Sequence, residues 1–515
     1  MQRNFLILIT ALAAAVLALR ADAVTPAAPV LAIITQDQAY LRVAPRDSAQ
    51  QHALLSHGEV VELRGERMDY VQVYDHHRER GGYVRATQIK RVRFAPEAAA
   101  ELLGVVRFLR DVPGSETLGI GYVAAYLKAA TAAELNGEAG AEAFDALGQF
   151  AERLARRASN GGAQIKAAAA TVAAHLDVAS RYGVKFNSVD HDGRMQLCYD
   201  GEAYARVLAV SVQAERRARA ALALTRDECA DPALRPHERA SLDEWRADVL
   251  GRVDTASAAL PAYLKNRLQI RSAALWGGIA YQRARQGMQG AAQTAAQNAL
   301  DEFAGVNKNE LTDDDYAVYN DAAMRVSASR WAAEPVLVAS GKKPFAVVTE
   351  AGQPGETCVM LVANEGVAAK KSPGTKDGAG AQKPLARRCT YGIVWSASAT
   401  VNREGNALAL AVQTMGAWRE LWVFHKGVDG WRVAVLPPAT TAPDRGYAEF
   451  AGWVPGGTQI LVAREARGEG KYKRSYEVLR LDSLTAERQA SDPTLLNAFR
   501  RWQDASWVKH SVSVR

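Results

Sequence analysis

Cysteine is scarce in this chain, with four in 515 residues, and no two share a C-x-x-C spacing. That argues against a thiolate metal site. No apolar run after residue 23 is long enough to cross a bilayer, so no transmembrane segment is expected in the mature chain. Basic residues outnumber acidic ones only modestly, with a net charge of +7 and no clustered basic stripe, which removes the electrostatic footprint of a nucleic-acid binder. The motifs of common catalysts are missing too. There is no G-x-S-x-G elbow, no H-E-x-x-H, no phosphate-binding P-loop and no G-x-G-x-x-G after a strand. A non-enzymatic protein without cofactor or metal is therefore expected. Paired carboxylates brought together from distant positions leave no local signature, so a two-carboxylate hydrolase stays open as the alternative.

What is present begins with the first 23 residues. Met1-Gln2-Arg3-Asn4 is a short positive segment, Phe5 to Leu19 an apolar run, and Ala21-Asp22-Ala23 a small-residue cleavage site. This is the layout of a secretory signal peptide, and it predicts a periplasmic or secreted protein. The cysteines form two local pairs, Cys198 with Cys229 and Cys358 with Cys389. In an oxidising compartment these read as disulfides, the sequential pairing being one of three possible. A chain of this length is expected to form about three domains.

Residues 24–94 alternate with period two. Leu41-Arg42-Val43, Val60-Val61-Glu62-Leu63, Tyr70-Val71-Gln72-Val73-Tyr74 and Gly82-Tyr83-Val84 read as strands, separated by turns at Pro45-Arg46-Asp47, His57-Gly58-Glu59 and Arg80-Gly81-Gly82. Their order resembles a bacterial SH3-like domain. Leu41-Arg42-Val43 is similar to the family's opening L-x-V, and Leu54-Leu55 with Gly58-Glu59-Val60-Val61 to its G-x-x-V segment. Asp69-Tyr70-Val71-Gln72-Val73 and Gly82-Tyr83-Val84 are similar to its W-x-x-V and closing G-W-V strands, with tyrosines in place of tryptophans. The resemblance implies a small β-barrel that engages peptidoglycan or an envelope protein. Tyr40, Tyr70, Tyr74 and Tyr83 are its candidate ligand-binding face, because tyrosine combines a flat apolar body with a polar tip. Asp75-His76-His77 reads as a solvated hairpin tip rather than a metal site.

Residues 95–333 read as an all-α domain. Apolar positions recur at spacings of three and four, as in Phe144-Leu147-Phe150-Leu154 and Trp245-Val249-Val253. A single helix is expected from Tyr204 to Thr225, between Cys198 and Cys229. Leu275-Trp276-Gly277-Gly278-Ile279-Ala280-Tyr281 followed by Ala291 to Ala299 resembles a tetratricopeptide helix pair. No clear period follows, so solenoid and bundle both remain. Asp190-His191-Asp192-Gly193, near Asp200, reads as a polar link between helices. Thr312 with Asp313-Asp314-Asp315 reads as a helix N-cap.

Residues 334–515 return to period two. Strands are expected at Phe345 to Val348, Val359 to Val362, Ile393 to Trp395, Ala407 to Val412, Glu420 to Phe424, Trp431 to Leu436, Gln459 to Val462 and Ser475 to Leu481. Lys370 to Gln382 reads as a loop. Trp395-Ser396 with Glu404-Gly405-Asn406, and Trp453-Val454-Pro455-Gly456-Gly457, resemble β-propeller turns. A C-terminal helix from Leu495 to Trp507 is expected to cap the sheet with Phe499, Trp502 and Trp507. The fold class expected is thus multi-domain α+β: an N-terminal barrel, a helical middle and a C-terminal antiparallel sheet that is partly propeller-like. The function implied is envelope binding or scaffolding, with the helical middle as an interaction surface. The alternative places a peptidoglycan-active hydrolase site in the helical region.

Overall fold

A computed structural model describes residues 29–160, 166–191, 193–210, 212–334, 344–363, 383–440, 445–468, 470–510 and 512. The expected signal peptide, residues 1–23, and the expected loop from Lys370 to Gln382 lie outside the described residues. The fold is mixed α and β, and the chain divides into two compact units. One holds residues 1–188 with 195–200, the other residues 189–194 with 201–515. Among the described residues, no helix is long and apolar enough to cross a membrane.

The first unit opens with seven strands: β1 (Val30–Ile34), β2 (Ala39–Arg42), β3 (Gln51–Leu55), β4 (Val60–Arg67), β5 (Tyr70–Asp75), β6 (Arg80–Arg85) and β7 (Ile89–Val92). They pair antiparallel in the order β3-β2-β6-β5-β4-β1-β7. Alternation sends Leu41, Val61, Val71, Val73 and Val84 into one apolar cluster with Ala32, Ile34, Ala39 and Leu55. Behind the sheet come α1 (Ala99–Arg110), α2 (Glu116–Ala129), the single turn α3 (Ala132–Leu135), α4 (Glu138–Ser159) and α5 (Lys166–Arg181). Small residues let these helices approach closely: a Cβ on Gly119 of α2 would lie 2.3 Å from the Phe150 ring of α4.

The helical middle is not wholly α. Where a polar link between helices was expected, β8 (Phe186–His191) and β9 (Arg194–Tyr199) form a two-stranded hairpin. Gly193 turns it at a φ of 79°, and its N–H donates to Asp190 Oδ1 at 2.8 Å. The side-chain acceptor and the left-handed glycine together favour a turn over a helix.

In the second unit, α6 (Glu202–Ala209) and α7 (Ala214–Leu224) replace the single helix expected from Tyr204 to Thr225. The break carries Val210 and Val212, and β-branched side chains are weak helix formers. Next come α8 (Pro236–Gly251), α9 (Ala262–Arg285), α10 (Gln289–Ala304) and α11 (Asp313–Ser329). The α9–α10 hairpin is the helix pair that Trp276 marks; Gly287 turns it at a φ of 76°.

A three-stranded sheet follows, β10 (Phe345–Ala351), β11 (Thr357–Ala363) and β12 (Ala386–Thr390). Cys358 and Cys389 face each other across β11 and β12 and are disulfide-bonded. Cys198 and Cys229 are also disulfide-bonded, so no cysteine is free. The remaining strands are β13 (Ile393–Val401), β14 (Ala407–Met415), β15 (Trp418–Gly427), β16 (Gly430–Leu436), β17 (Arg445–Val454), β18 (Gln459–Gly468), β19 (Lys471–Arg480) and β20 (Ala486–Ala490). They make two antiparallel meanders, β13 to β16 and β17 to β20. A short parallel pairing of Trp418 with Gly446 and Arg419 with Tyr447 joins them into one eight-stranded sheet.

The C-terminal helix expected from Leu495 to Trp507 is instead two short ones, α12 (Asn497–Trp502) and α13 (Ala505–His510). Phe499 and Trp507 pack against the second meander as expected, but Trp502 is 43% exposed. Its backbone makes the contact instead. The Trp502 carbonyl comes so close to Gly452 that a Cβ there would lie 2.2 Å away.

Candidate functional site

Strand parity decides where the four predicted tyrosines go. In β5 the odd-numbered Val71 and Val73 enter the core, so Tyr70, Gln72 and Tyr74 point to the opposite face. Tyr83 pairs in register with both Gln72 and Arg42, and Tyr40 shares the outward parity of Arg42 on β2. All four tyrosines therefore belong to one outer face of the sheet.

They do not share one environment. Tyr70 is buried, and its hydroxyl donates to Asp47 Oδ1 at 2.5 Å, where Arg85 Nε also donates at 3.1 Å. Tyr40, Tyr74 and Tyr83 are half-buried. The Arg64 guanidinium lies 3.9 Å from the Tyr74 ring centre, and that of Arg42 lies 5.3 Å from the Tyr40 ring centre. His76 meets the Tyr74 ring edge-on at 4.9 Å. The result is a strip of aromatic rings with guanidiniums over two of them, and Arg64 is also paired with Glu62 at 3.2 Å.

The other charged motifs are structural in geometry. At the hairpin tip His76 and His77 are exposed, but Asp75 is buried. It accepts from the His77 and Arg78 N–H groups and from Arg78 Nη1 at 2.7 Å. Thr312 donates its N–H and its hydroxyl to Asp315, capping α11, and Arg267 Nε donates to the same carboxylate at 2.8 Å. His191 Nε2 lies 2.7 Å from the Glu228 carbonyl oxygen; Asp192 lies outside the described residues.

In the helical part of the second unit, Asp227 is paired with Arg239 at 2.8 Å and with Arg246 and Arg325 at 3.2 Å each. Burial alone would push its carboxyl up. The three arginines outweigh burial and hold it well below the ordinary range. Asp243 pairs with Arg239 and Arg246 as well. Glu302 of α10 behaves oppositely: burial pushes it up, against a hydrogen bond from Ser272.

A deeper charge cluster lies between α11 and the C-terminal sheet. Glu449 of β17 accepts from Arg330 Nε at 3.0 Å, from Arg419 of β15 and from Trp507 Nε1 at 3.1 Å. Arg419 also donates to the Ser327 carbonyl at the end of α11. All four side chains are buried, beside a cavity of about 270 Å³ that they line with Trp331 and Ser398.

One cluster was missed by sequence reading. Asp37, His57 and His175 each present a ligand atom, and these atoms lie within 4.8 Å of one another. They are 20 and 118 residues apart in sequence order, so no spacing rule joins them. His175 Nε2 lies 2.8 Å from Asp37 Oδ1, and the His57 N–H donates to the same oxygen at 3.2 Å. The hydrogen bond to His175 holds the Asp37 carboxyl below its ordinary range. Burial pulls His57 down, against the attraction of Asp37, which favours its neutral form. Compared with known proteins, the chain matched no protein family, no curated protein and no solved structure.

Proposed function

We propose that this chain is an exported envelope protein that binds peptidoglycan through the outer face of its N-terminal, SH3-like sheet. The observation that carries this reading is the shared outward face of Tyr40, Tyr74 and Tyr83 with Arg42 and Arg64. Half-buried tyrosine rings offer flat apolar surfaces with hydroxyl tips, suited to sugar rings. Guanidiniums are suited to carboxylates such as those of wall peptides, for which Arg64 would exchange its Glu62 partner. The strip is a shallow platform for a polymer rather than a closed pocket. Tyr70, held by Asp47, supports this platform from within.

In the same reading the sheet closes as an SH3-like barrel, the helical middle serves as a partner surface, and the two C-terminal meanders act as propeller-like blades. The four disulfide-bonded cysteines support an oxidising compartment.

The test is retention of the purified mature chain on insoluble peptidoglycan, with release of soluble muropeptides measured alongside. Tyr74→Ala and Tyr83→Ala are each expected to weaken retention by about 1–2 kcal/mol, roughly fivefold to thirtyfold. Retention unchanged in the double variant would sink the binding face. Muropeptide release would replace the binding role with the hydrolase reading.

A further inference from the structure

We propose that Asp37, His57 and His175 bind one divalent transition-metal ion of the zinc class, through two imidazoles and one carboxylate. The ligand atoms already lie within 4.8 Å of one another. Zinc bonds of about 2.0–2.2 Å place tetrahedral donors roughly 3.3–3.6 Å apart. Closing the set therefore takes side-chain shifts of about an ångström.

The three ligands stand on three separate supports. Asp37 occupies the turn between β1 and β2, beside Gln38 at a φ of 60°. His57 occupies the turn between β3 and β4, and the next residue, Gly58, is clamped from both sides. Its N–H donates to the Ile34 carbonyl at 2.8 Å, and its carbonyl accepts from the Tyr182 hydroxyl at 2.6 Å. His175 projects from α5 and is 1% exposed. A ligand set tied to two strand turns and a helix is held in place before metal arrives.

His175 Nδ1 is buried without a hydrogen-bond partner, so its ring is not fully used by the protein. Asp37 keeps a side-chain exposure of 38%, which leaves a route for the ion and a coordination position facing solvent.

Two imidazoles and a single carboxylate suit zinc, cobalt or nickel and are poor for calcium or magnesium, which prefer oxygen ligands throughout. A second grouping of potential ligands among the described residues, Glu356 with Cys358 and Cys389, has no thiolates to offer because its sulfurs are bonded to each other.

The experiment uses the full mature chain without an affinity tag, stripped with chelator. Zn²⁺ binding is measured by titration calorimetry and by metal analysis after gel filtration, and Co²⁺ serves as the spectroscopic probe. One equivalent of zinc is expected, with no competition from excess Mg²⁺. Asp37→Asn and His57→Gln should each weaken binding by at least about tenfold and remove the cobalt ligand-field bands. The exposed His77→Gln and His237→Gln should leave both unchanged. Circular dichroism identifies variants that fold, so the buried His175 need not be altered. Absence of stoichiometric uptake, or uptake that Asp37→Asn and His57→Gln leave intact, overturns the site.

Discussion

Glu449 and Glu142 both pair with arginine, yet their burial gives the two pairs different worth. Glu449 sits between two buried guanidiniums, and Arg419 is fully enclosed. Removing its charge leaves two cations desolvated with no counterion, and breaking such a buried pair typically costs about 3–5 kcal/mol. Glu449→Gln is expected to fall near the lower end, about 3 kcal/mol, because the amide oxygen still accepts hydrogen bonds. By contrast, Arg107 pairs with Glu142 at 2.7 Å but is 55% exposed. Water already solvates it, so Arg107→Gln should change stability by less than about 1 kcal/mol. Urea denaturation of the two variants beside the parent chain checks the ordering, and equal midpoints would refute it.

At the scale of elements, Gly58 shows how a single turn can join the sheet to the helices of its own unit. It has a φ of 89°, and a Cβ there would lie 2.3 Å from the Thr117 carbonyl of α2. Gly58→Ala meets both backbone strain and a steric clash, so a loss of at least about 2 kcal/mol is expected. Thermal unfolding would read it, and a neutral result would mean that α2 can withdraw. The sequence marked this turn by its His57-Gly58-Glu59 punctuation, and it also exposed strands β2, β4, β5 and β6, whose faces alternate cleanly. Strands with no apolar face to advertise were not legible: β12 reads Ala-Arg-Arg-Cys-Thr and β20 reads Ala-Glu-Arg-Gln-Ala, both at sheet edges. Strand β17 escaped for the opposite reason. It is buried along most of its length and carries a register shift between Phe450 and Gly452, so no simple alternation survives. The outer tyrosine strip was readable because period two alone places it. The Asp37, His57 and His175 cluster was not, because two strand turns and a helix assemble it.

Acid response belongs to the whole molecule, because depressed carboxyls occur in both units: Asp37 in the first, and Asp227, Asp315 and Glu449 in the second. For Glu449 burial alone would raise the pKa, and Arg330 with Arg419 reverses that. Each of these groups binds protons more weakly folded than unfolded. Their contribution to stability is complete above the unfolded values of about 4, and it is lost as pH falls through the folded ones. Glu302, raised by burial, acts with the opposite sign over its own range, but one group does not offset four. Half-buried His57 and buried His425, both held below the ordinary histidine value, add a gentle decline that starts near about pH 6.5 as pH falls, and the carboxyls make the decline steeper below about pH 4. The net charge of +7 adds self-repulsion in the same direction as carboxylates protonate. Salt separates the two causes. Repulsion between exposed charges is screened at high ionic strength, whereas buried pairs are screened far less. Urea midpoints measured from pH 3 to pH 7 at low and high salt should show an acid decline that persists in high salt. Glu449→Gln, already deprived of its ionised carboxylate, should show a shallower decline. A decline abolished by salt would assign acid sensitivity to net charge instead of to the buried arginine–carboxylate pairs.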